Sequence, residues 1–214
     1  MDHAFIGCAA GAPAADALLQ LGFIEGSGNT HPGQGTANRR FFFENFMLEL
    51  LWVADAAEAQ NDRSRRTRLW DRCERQDVNV SPFGIIFGSS GTPPAVAPFL
   101  TWDYKPRYLP NGLAMQIADG TTLYEPELFY LPFLRRSGPR QEPVMHAAPV
   151  RRISGVSVGI SSRAQLSAAS CSAEQHGLVS YFEAALPVLE IQFAGRDDLR
   201  IDLRPDLPLV FRGA

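Results

Sequence analysis

A single acidic residue, Glu49, stands inside a long apolar segment of this 214-residue chain, between Phe46 and Val53. The segment predicts a β-strand, in which alternate side chains share a face, so Glu49 points the same way as Met47 and Leu51. Because both faces of this strand are apolar, we expect the carboxylate to be directed into the interior. A buried ionised carboxylate needs a cation, hydrogen-bond donors or a raised pKa. Glu49 is therefore predicted to be either a structural ion-pair partner or the centre of a site.

A histidine near the start of the chain is a second candidate for chemistry. His3 opens a predicted strand over residues 3–8, and Glu49 lies in the last strand of the same unit. A neutral imidazole and a carboxylate are suitable ligands for a divalent ion such as zinc, nickel, manganese or iron. Neighbouring strands of one sheet could bring these two side chains together. The alternative interpretation is a histidine on the protein surface.

The densest polar stretch of the chain runs over residues 29–40 and contains Gly33 and Gly35, which allow backbone conformations that other residues resist. It lacks the Gly-Lys-Ser/Thr of a phosphate-binding loop, and a strand rather than a helix follows it. Two interpretations stay open: a hairpin connection whose side chains satisfy its own backbone, or a loop that faces a ligand. In the second case, the candidate binding residues are His31, Gln34, Asn38 and Arg40.

Two arginines in the predicted strand over residues 39–43 offer a rival to a metal at Glu49. Arg39 and Arg40 point to opposite faces of that strand, so one of them could pair with Glu49 across the sheet. Further along, Trp102 and Tyr104 stand among prolines in a predicted irregular loop. They could line the wall of a pocket, since aromatic side chains with polar tips suit small-ligand sites, or they could simply cover the core.

Composition excludes several classes of protein. A hydrophobic content of 45% with 20% charged residues is typical of a globular chain, and the net charge of -3 argues against a nucleic-acid partner. The three cysteines form no Cys-x-x-Cys pair, which favours neither a zinc knuckle nor a disulfide framework and points to a cytoplasmic location. No apolar run approaches the roughly 20 residues of a membrane span. No histidine stands in an evident pairing with a nucleophilic cysteine or serine, which disfavours a hydrolase triad.

The order of predicted elements indicates an α+β fold. A strand, a helix over residues 12–21 and further strands make up a first unit at 1–55. A middle segment at 56–150 contains short strands and two Gly/Pro-rich linkers, at 89–98 and 137–149. A strand-rich tail at 151–214 has a helix with little apolar stripe. Its segment 189–193 echoes 48–52, which suggests a repeated unit.

Several of these segments together resemble a known family. They are Asp2-His3-Ala4-Phe5, Leu21-Gly22-Phe23, residues 31–40 and Leu48-Glu49-Leu50, and they look like the glyoxalase-like domain proteins of the vicinal oxygen chelate superfamily. The resemblance implies two βαβββ modules whose curved mixed sheets surround a cleft. It also implies a divalent metal in that cleft, held here by His3 and Glu49.

The resemblance is incomplete in the tail. Metal sites of this superfamily usually take ligands from both modules. The tail offers Glu190, but its strand at 153–160 contains serines (Ser154 and Ser157) and no histidine. The resemblance therefore implies either an ion with fewer protein ligands or a member that has lost the metal.

The resemblance implies one of two functions. The first is a metal-dependent lyase, isomerase or dioxygenase acting on a small oxygen-rich molecule, with Glu49 as the catalytic residue. The second is a metal-free protein of the same fold that binds and sequesters a small molecule. We expect neither a nucleic-acid nor a membrane partner. A homodimer is also expected, and a dimer with a remodelled, inert cleft is a third interpretation.

Overall fold

The computed structural model describes residues 1–89, 96–134, 141–148, 150–195 and 197–213. Within these residues the chain forms two mixed β-sheets, one of eight strands and one of five, with short helices at their margins. The α+β class with mixed sheets that the sequence predicts is confirmed. None of the helices in the described part is long and apolar enough to cross a bilayer.

The larger sheet has two halves with the same internal pairing. The first half contains β1 (His3–Gly7), β2 (Asn29–His31), β3 (Thr36–Phe42) and β4 (Met47–Val53). The second half contains β5 (Phe83–Gly88), β6 (Thr101–Tyr104), β7 (Met115–Ala118) and β8 (Glu127–Leu131). The strand order is β2-β3-β4-β1-β5-β8-β7-β6. In each half the first strand pairs parallel with the last, and β1 meets β5 antiparallel at the centre.

The smaller sheet is built from the strands that follow residue 150. Its strand order is β10-β9-β11-β13-β12. The strands are β9 (Ile153–Ile160), β10 (Ser180–Glu183), β11 (Val188–Phe193), β12 (Arg200–Asp202) and β13 (Leu209–Gly213). Strands β9 and β11 pair antiparallel, whereas β11 and β13 pair parallel.

The helices are short and lie in the connections. They are α1 (Ala15–Gln20), α2 (Ala56–Ala59), α3 (Leu69–Cys73) and α4 (Ala168–Gln175), with 3-10 turns at Arg65–Thr67 and Arg163–Gln165. The side chain of Asp55 accepts a hydrogen bond from the Glu58 N–H and so begins α2. Arg72 anchors α3, because its buried guanidinium donates to the carbonyl oxygens of Ser81 and Glu125.

The two faces of the larger sheet bury different cores, because side chains alternate along each strand. On β1, Ala4 and Ile6 belong to the main hydrophobic core, which the strands of the smaller sheet share. Phe5 points the other way, into a second cluster under α3. The larger sheet is therefore covered on both sides, which explains why β4 is apolar on both of its faces.

The strands group differently from the predicted units. Residues 83–131 extend the first sheet with four strands, whereas the strands after residue 150 form a sheet of their own. Strands β3 and β4 are neighbours, but β9 separates β10 from β11, so the similar segments 48–52 and 189–193 have different surroundings. The domain boundaries 1–55, 56–150 and 151–214 stay a prediction. Residues 90–95, 137–140 and 149 of the predicted linkers lie outside the described residues.

Candidate functional site

A cavity of about 460 Å³, partly open to solvent, lies on the face of the larger sheet that turns away from the smaller sheet. Its polar lining consists of His3, His31, Gln34, Glu49 and Tyr108. Its apolar lining consists of Phe5, Leu51, Leu69, Ile86, Met115, Phe129 and Leu131. The cavity therefore contains both groups that can do chemistry and a wide apolar wall.

Glu49 and His3 meet at the floor of this cavity. Strands β1 and β4 run parallel with Phe5 opposite Glu49, which places His3 beside the carboxylate. The distance between His3 Nε2 and Glu49 Oε2 is 3.9 Å, too long for a hydrogen bond. Glu49 is 6% exposed, so the carboxylate is buried, as the sequence predicts. The two groups face each other across a short gap.

The second polar atom of each side chain, Glu49 Oε1 and His3 Nδ1, forms a hydrogen bond with a neighbouring residue. The Asn38 side-chain amide donates a hydrogen bond to Glu49 Oε1. His3 Nδ1 lies 2.7 Å from Asp2 Oδ2, and because a carboxylate only accepts, Nδ1 is the donor. Asp2 and Asn38 therefore fix the orientation of the imidazole and of the carboxylate. Glu49 Oε2 and His3 Nε2 are left directed at the cavity.

No arginine in the described part of the chain pairs with Glu49. Arg39 forms ion pairs with Glu25 and Asp16, at 2.6 and 2.9 Å. Arg40 lies directly opposite Glu49 in the β3–β4 register, but its guanidinium donates to the carbonyl and the hydroxyl of Ser27, at 2.6 and 2.8 Å. The rival interpretation, an Arg39 or Arg40 ion pair with Glu49, is therefore not supported.

The last residue of β2, His31, and the loop that follows it, with Gln34, supply two further lining residues. Gly33 and Gly35 both have positive φ angles, 81° and 76°, and a Cβ on Gly35 would lie 2.3 Å from the Asp55 carbonyl oxygen. This tight turn lets the loop fold back over the sheet and brings His31 and Gln34 to the cavity. Residues with a side chain resist this conformation, which is why glycine stands at both positions.

A chain of hydrogen bonds fixes the polar side chains of this loop. The Tyr108 hydroxyl donates to Gln34 Oε1 at 3.0 Å, and Gln34 Nε2 donates to Thr36 Oγ1 at 2.8 Å. Thr36 Oγ1 lies 2.9 Å from His31 Nδ1, and the ring centroids of His31 and Tyr108 are 4.9 Å apart. Tyr108 thus joins the second half of the sheet to the loop of the first half.

Burial keeps the ring of His31 and the phenol of Tyr108 uncharged. Desolvation lowers the pKa of His31, and although the nearby Glu49 carboxylate raises it, Arg40 and His3 lower it further. Desolvation raises the pKa of Tyr108, and the charges of Tyr104 and Glu49 act in the same direction. Both side chains are therefore neutral near pH 7.

The predicted binding residues are divided between the cavity and its surroundings. His31 and Gln34 line the cavity, and Asn38 contacts it through Glu49. Arg40, Trp102 and Tyr104 are not lining residues: the Arg66 guanidinium lies 4.2 Å over the Trp102 ring, and Tyr104 is buried in the second cluster. The binding roles of all six residues stay predictions.

Tyr108 is a lining residue that was not predicted from the sequence. The feature that could have indicated it is an aromatic side chain in the Pro-rich segment directly after Trp102 and Tyr104.

The donor set limits how a metal could be held. Two bonds of about 2.1 Å to a divalent ion together reach roughly 4 Å. His3 Nε2 and Glu49 Oε2 are 3.9 Å apart, so these two side chains would be able to hold an ion. The strands of the second half face the cavity with Ile86, Met115, Phe129 and Leu131, none of which carries an imidazole or a carboxylate. The described residues contain no cluster of three His, Cys, Asp or Glu side chains. These donors fit an ion with two protein ligands, not the three of a typical catalytic zinc site.

Glu190, the residue that the tail offers as a metal ligand, is not available as a third donor beside His3 and Glu49. It lies in the smaller sheet, is not among the residues that line the cavity, and pairs with Arg212, whose Nε is 3.4 Å from Glu190 Oε2.

Comparison with known proteins agrees with this architecture. The crystal structure of a hypothetical protein from Staphylococcus aureus superimposes with a TM-score of 0.54 and 11% sequence identity, covering 100% of this chain and 98% of the other. At this identity the likeness shows the fold alone. A search of curated proteins finds no significant match. The family model described as glyoxalase-like domain matches residues 1–108, which include β1 to β6 and all the polar lining residues of the cavity. This chain belongs to the glyoxalase-like domain family, within the vicinal oxygen chelate superfamily.

Proposed function

We propose that this protein binds a small molecule in the cavity, with the polar end of the ligand against Glu49 and His3. The observation that carries the proposal is the state of the Glu49 carboxylate. It is buried, it accepts one side-chain hydrogen bond, from Asn38, and its other oxygen faces an open cavity. A carboxylate in this state is left short of partners by the described residues, and a ligand can supply the missing one.

The opposite wall supports the same proposal. Ile86, Met115, Phe129 and Leu131 come from the second half of the sheet and face the polar residues of the first half. Apolar walls with a few placed polar groups are typical of sites for small organic ligands. The apolar surface would bind the body of the ligand, and the polar groups would set its orientation.

A second candidate function is the metal-dependent enzyme that the family resemblance implies. It is favoured by Asp2 and Asn38, which hold the outer atoms of His3 and Glu49, as neighbouring groups do for metal ligands. His3 and Glu49 would hold the ion, which would supply Lewis-acid chemistry for a lyase, isomerase or dioxygenase reaction. Asp2 would hold the imidazole in the orientation that presents Nε2 to the cavity.

Binding in the cavity can be tested by screening small aromatic and aliphatic fragments with ligand-observed NMR. We expect fragments that bind the wild type to lose binding in Leu131→Trp, because the larger ring fills the cavity. Leu186→Trp is the matched control, since Leu186 is 56% exposed and lies outside the cavity. Fragment binding that is equal in both variants would contradict the proposal.

Metal analysis of tag-free protein separates the two candidates. Stoichiometric zinc, nickel, manganese or iron that is lost in Glu49→Gln, but kept in Glu190→Gln, supports the enzyme. Glu190 is a suitable control because it occupies a similar Leu-Glu-Ile segment in the other sheet. If incubation with these ions and dialysis leaves no bound metal, the enzyme candidate is refuted and the metal-free binding protein remains.

A further inference from the structure

We infer that the ligand of this cavity has an apolar body and ends in a hydrogen-bond-donating group, a protonated amine in preference to an alcohol, and an alcohol in preference to a carboxylate. This inference names the ligand class of the site and rests on the proposed binding function.

Several polar atoms of the cavity lining already have hydrogen-bond partners within the protein. Both ends of the Gln34 amide are engaged, by Tyr108 and Thr36, and the Tyr108 hydroxyl proton is used on Gln34. His31 Nδ1 is engaged with the Thr36 hydroxyl. His31 Nε2 lies 3.4 Å from the Asn29 side-chain amide. At the floor of the cavity, Glu49 Oε2 and His3 Nε2 are 3.9 Å apart and have no hydrogen bond to each other, so both can face a ligand.

Glu49 Oε2 accepts hydrogen bonds, because an ionised carboxylate has no proton to donate. His3 Nδ1 donates to Asp2, so the imidazole faces the cavity with Nε2, 3.9 Å from the Glu49 carboxylate. A ligand group that carries several N–H or O–H bonds can donate to Glu49 Oε2, whereas a ligand carboxylate has no proton to offer it.

The charged residues of the lining favour the same class of ligand. Glu49 is the one carboxylate among the described lining residues, and none of those residues is lysine or arginine. The arginine opposite Glu49 in the sheet, Arg40, directs its guanidinium to Ser27 instead. A ligand anion would therefore be buried next to a like charge with no lysine or arginine in the lining, whereas an ammonium would pair with Glu49.

The apolar wall sets the rest of the ligand. Phe5, Ile86, Phe129 and Leu131 contribute to one buried cluster, and the rings of Phe5 and Phe129 pack edge to face at 5.9 Å. Such a surface suits an aromatic or branched alkyl body. A polyol or a sugar would bring hydroxyl groups to this wall, and those groups would find no partner there.

Three probes of nearly equal shape test the inference: 2-phenylethylamine, 2-phenylethanol and phenylacetate. Their dissociation constants are measured by calorimetry or ligand-observed NMR, with and without EDTA. A hydrogen bond between charged groups is stronger than a neutral one, so we expect the amine to bind roughly tenfold or more tightly than phenylacetate. N-Acetyl-2-phenylethylamine, which keeps the body but lacks the charge, should lose most of this advantage in the wild type.

The variant Glu49→Gln should bind amine and alcohol about equally, while Glu190→Gln keeps the preference for the amine. Phenylacetate binding as tightly as the amine, and blocked by Leu131→Trp, would overturn the ligand class and leave the binding function intact. If none of the probes binds at millimolar concentration, or if Leu131→Trp does not affect them, both proposals fail. The comparison with the N-acetyl compound uses unaltered protein, so it decides the matter even if Glu49→Gln does not fold.

Discussion

The close contact between Gly84 and the Phe5 ring predicts that a side chain at Gly84 lowers the stability of the protein. Gly84 lies opposite Phe5 in the β1–β5 pair, and a Cβ added there would lie 2.0 Å from Phe5 Cε1 and 2.4 Å from Cζ. Ordinary contact begins at 3.4 Å, so the ring would have to move by more than 1 Å. Phe5 is 4% exposed and packs against Phe129, which leaves little room for that movement.

The variant Gly84→Ala should therefore lose stability through overpacking. Such changes cost about 1–3 kcal/mol. For a chain of this length, a loss of about 2 kcal/mol lowers the melting temperature by roughly 4–8 °C. Thermal and urea unfolding, followed by circular dichroism, measure the effect. Because Phe5 lines the cavity, ligand binding should weaken in the same variant.

Two comparisons make this prediction specific. Gly88→Ala, in the same strand, meets its nearest heavy atom at 3.1 Å, the carbonyl oxygen of Leu134, and should be much milder. Combining Gly84→Ala with Phe5→Leu removes the clashing ring atoms, so the double variant should be more stable than the sum of the single changes predicts, by about 1 kcal/mol or more. Equal stability of Gly84→Ala and Gly88→Ala would refute the reasoning.

Three further predictions concern single contacts. Asn38→Leu removes the donor to buried Glu49 and should lower the free energy of unfolding in urea by about 1–3 kcal/mol. The loss should be smaller in a Glu49→Gln background, and an unchanged urea midpoint would contradict this prediction. Burial lowers the pKa of His146 below 6.5, and its Nδ1 accepts from the Ile24 N–H. The stability due to this neutral ring should be complete above pH 6.5 and decline as the pH falls toward the folded-state pKa, a dependence that His146→Gln should reduce. Tyr108→Phe should cost about 0.5–1.5 kcal/mol and free the loop at 29–40, which hydrogen exchange can detect.

Much of the fold follows from local patterns in the sequence. The strand at 153–160 has its predicted bounds, and β4 begins one residue after the predicted start. These segments are strongly apolar or alternating, so their type does not depend on distant partners. Strand β2 was predicted as a polar connection, because Asn29–His31 has no apolar pattern and its conformation is imposed by pairing with β3.

Sheet membership could not be predicted in the same way. The strands at 83–131 join the first sheet through the pairing of β1 with β5, which is a long-range contact without a local signal. Strand β6 was expected to be irregular because of the prolines at 106 and 110, but these fall after its end at Tyr104. Strand β13 was not predicted, because it is short and directly follows Pro205 and Pro208, which are typical of a loop.

The sequence marks four of the polar lining residues, His3, His31, Gln34 and Glu49, but not Tyr108, and it marks none of the apolar ones. A carboxylate in an apolar strand is unusual enough to mark Glu49, and the position of His3 on the first strand makes it a neighbour. Phe129, Leu131 and Ile86 look like any core residues in the sequence, so nothing marks them as cavity walls. The expected homodimer and cytoplasmic location stay predictions.

The most direct test is a crystal structure of the protein with 2-phenylethylamine. We expect the ammonium nitrogen within hydrogen-bond distance of Glu49 Oε2, with the phenyl ring against Phe129 and Leu131. A ligand bound elsewhere, or one whose ring contacts Glu49 while the ammonium points to solvent, would contradict this expectation.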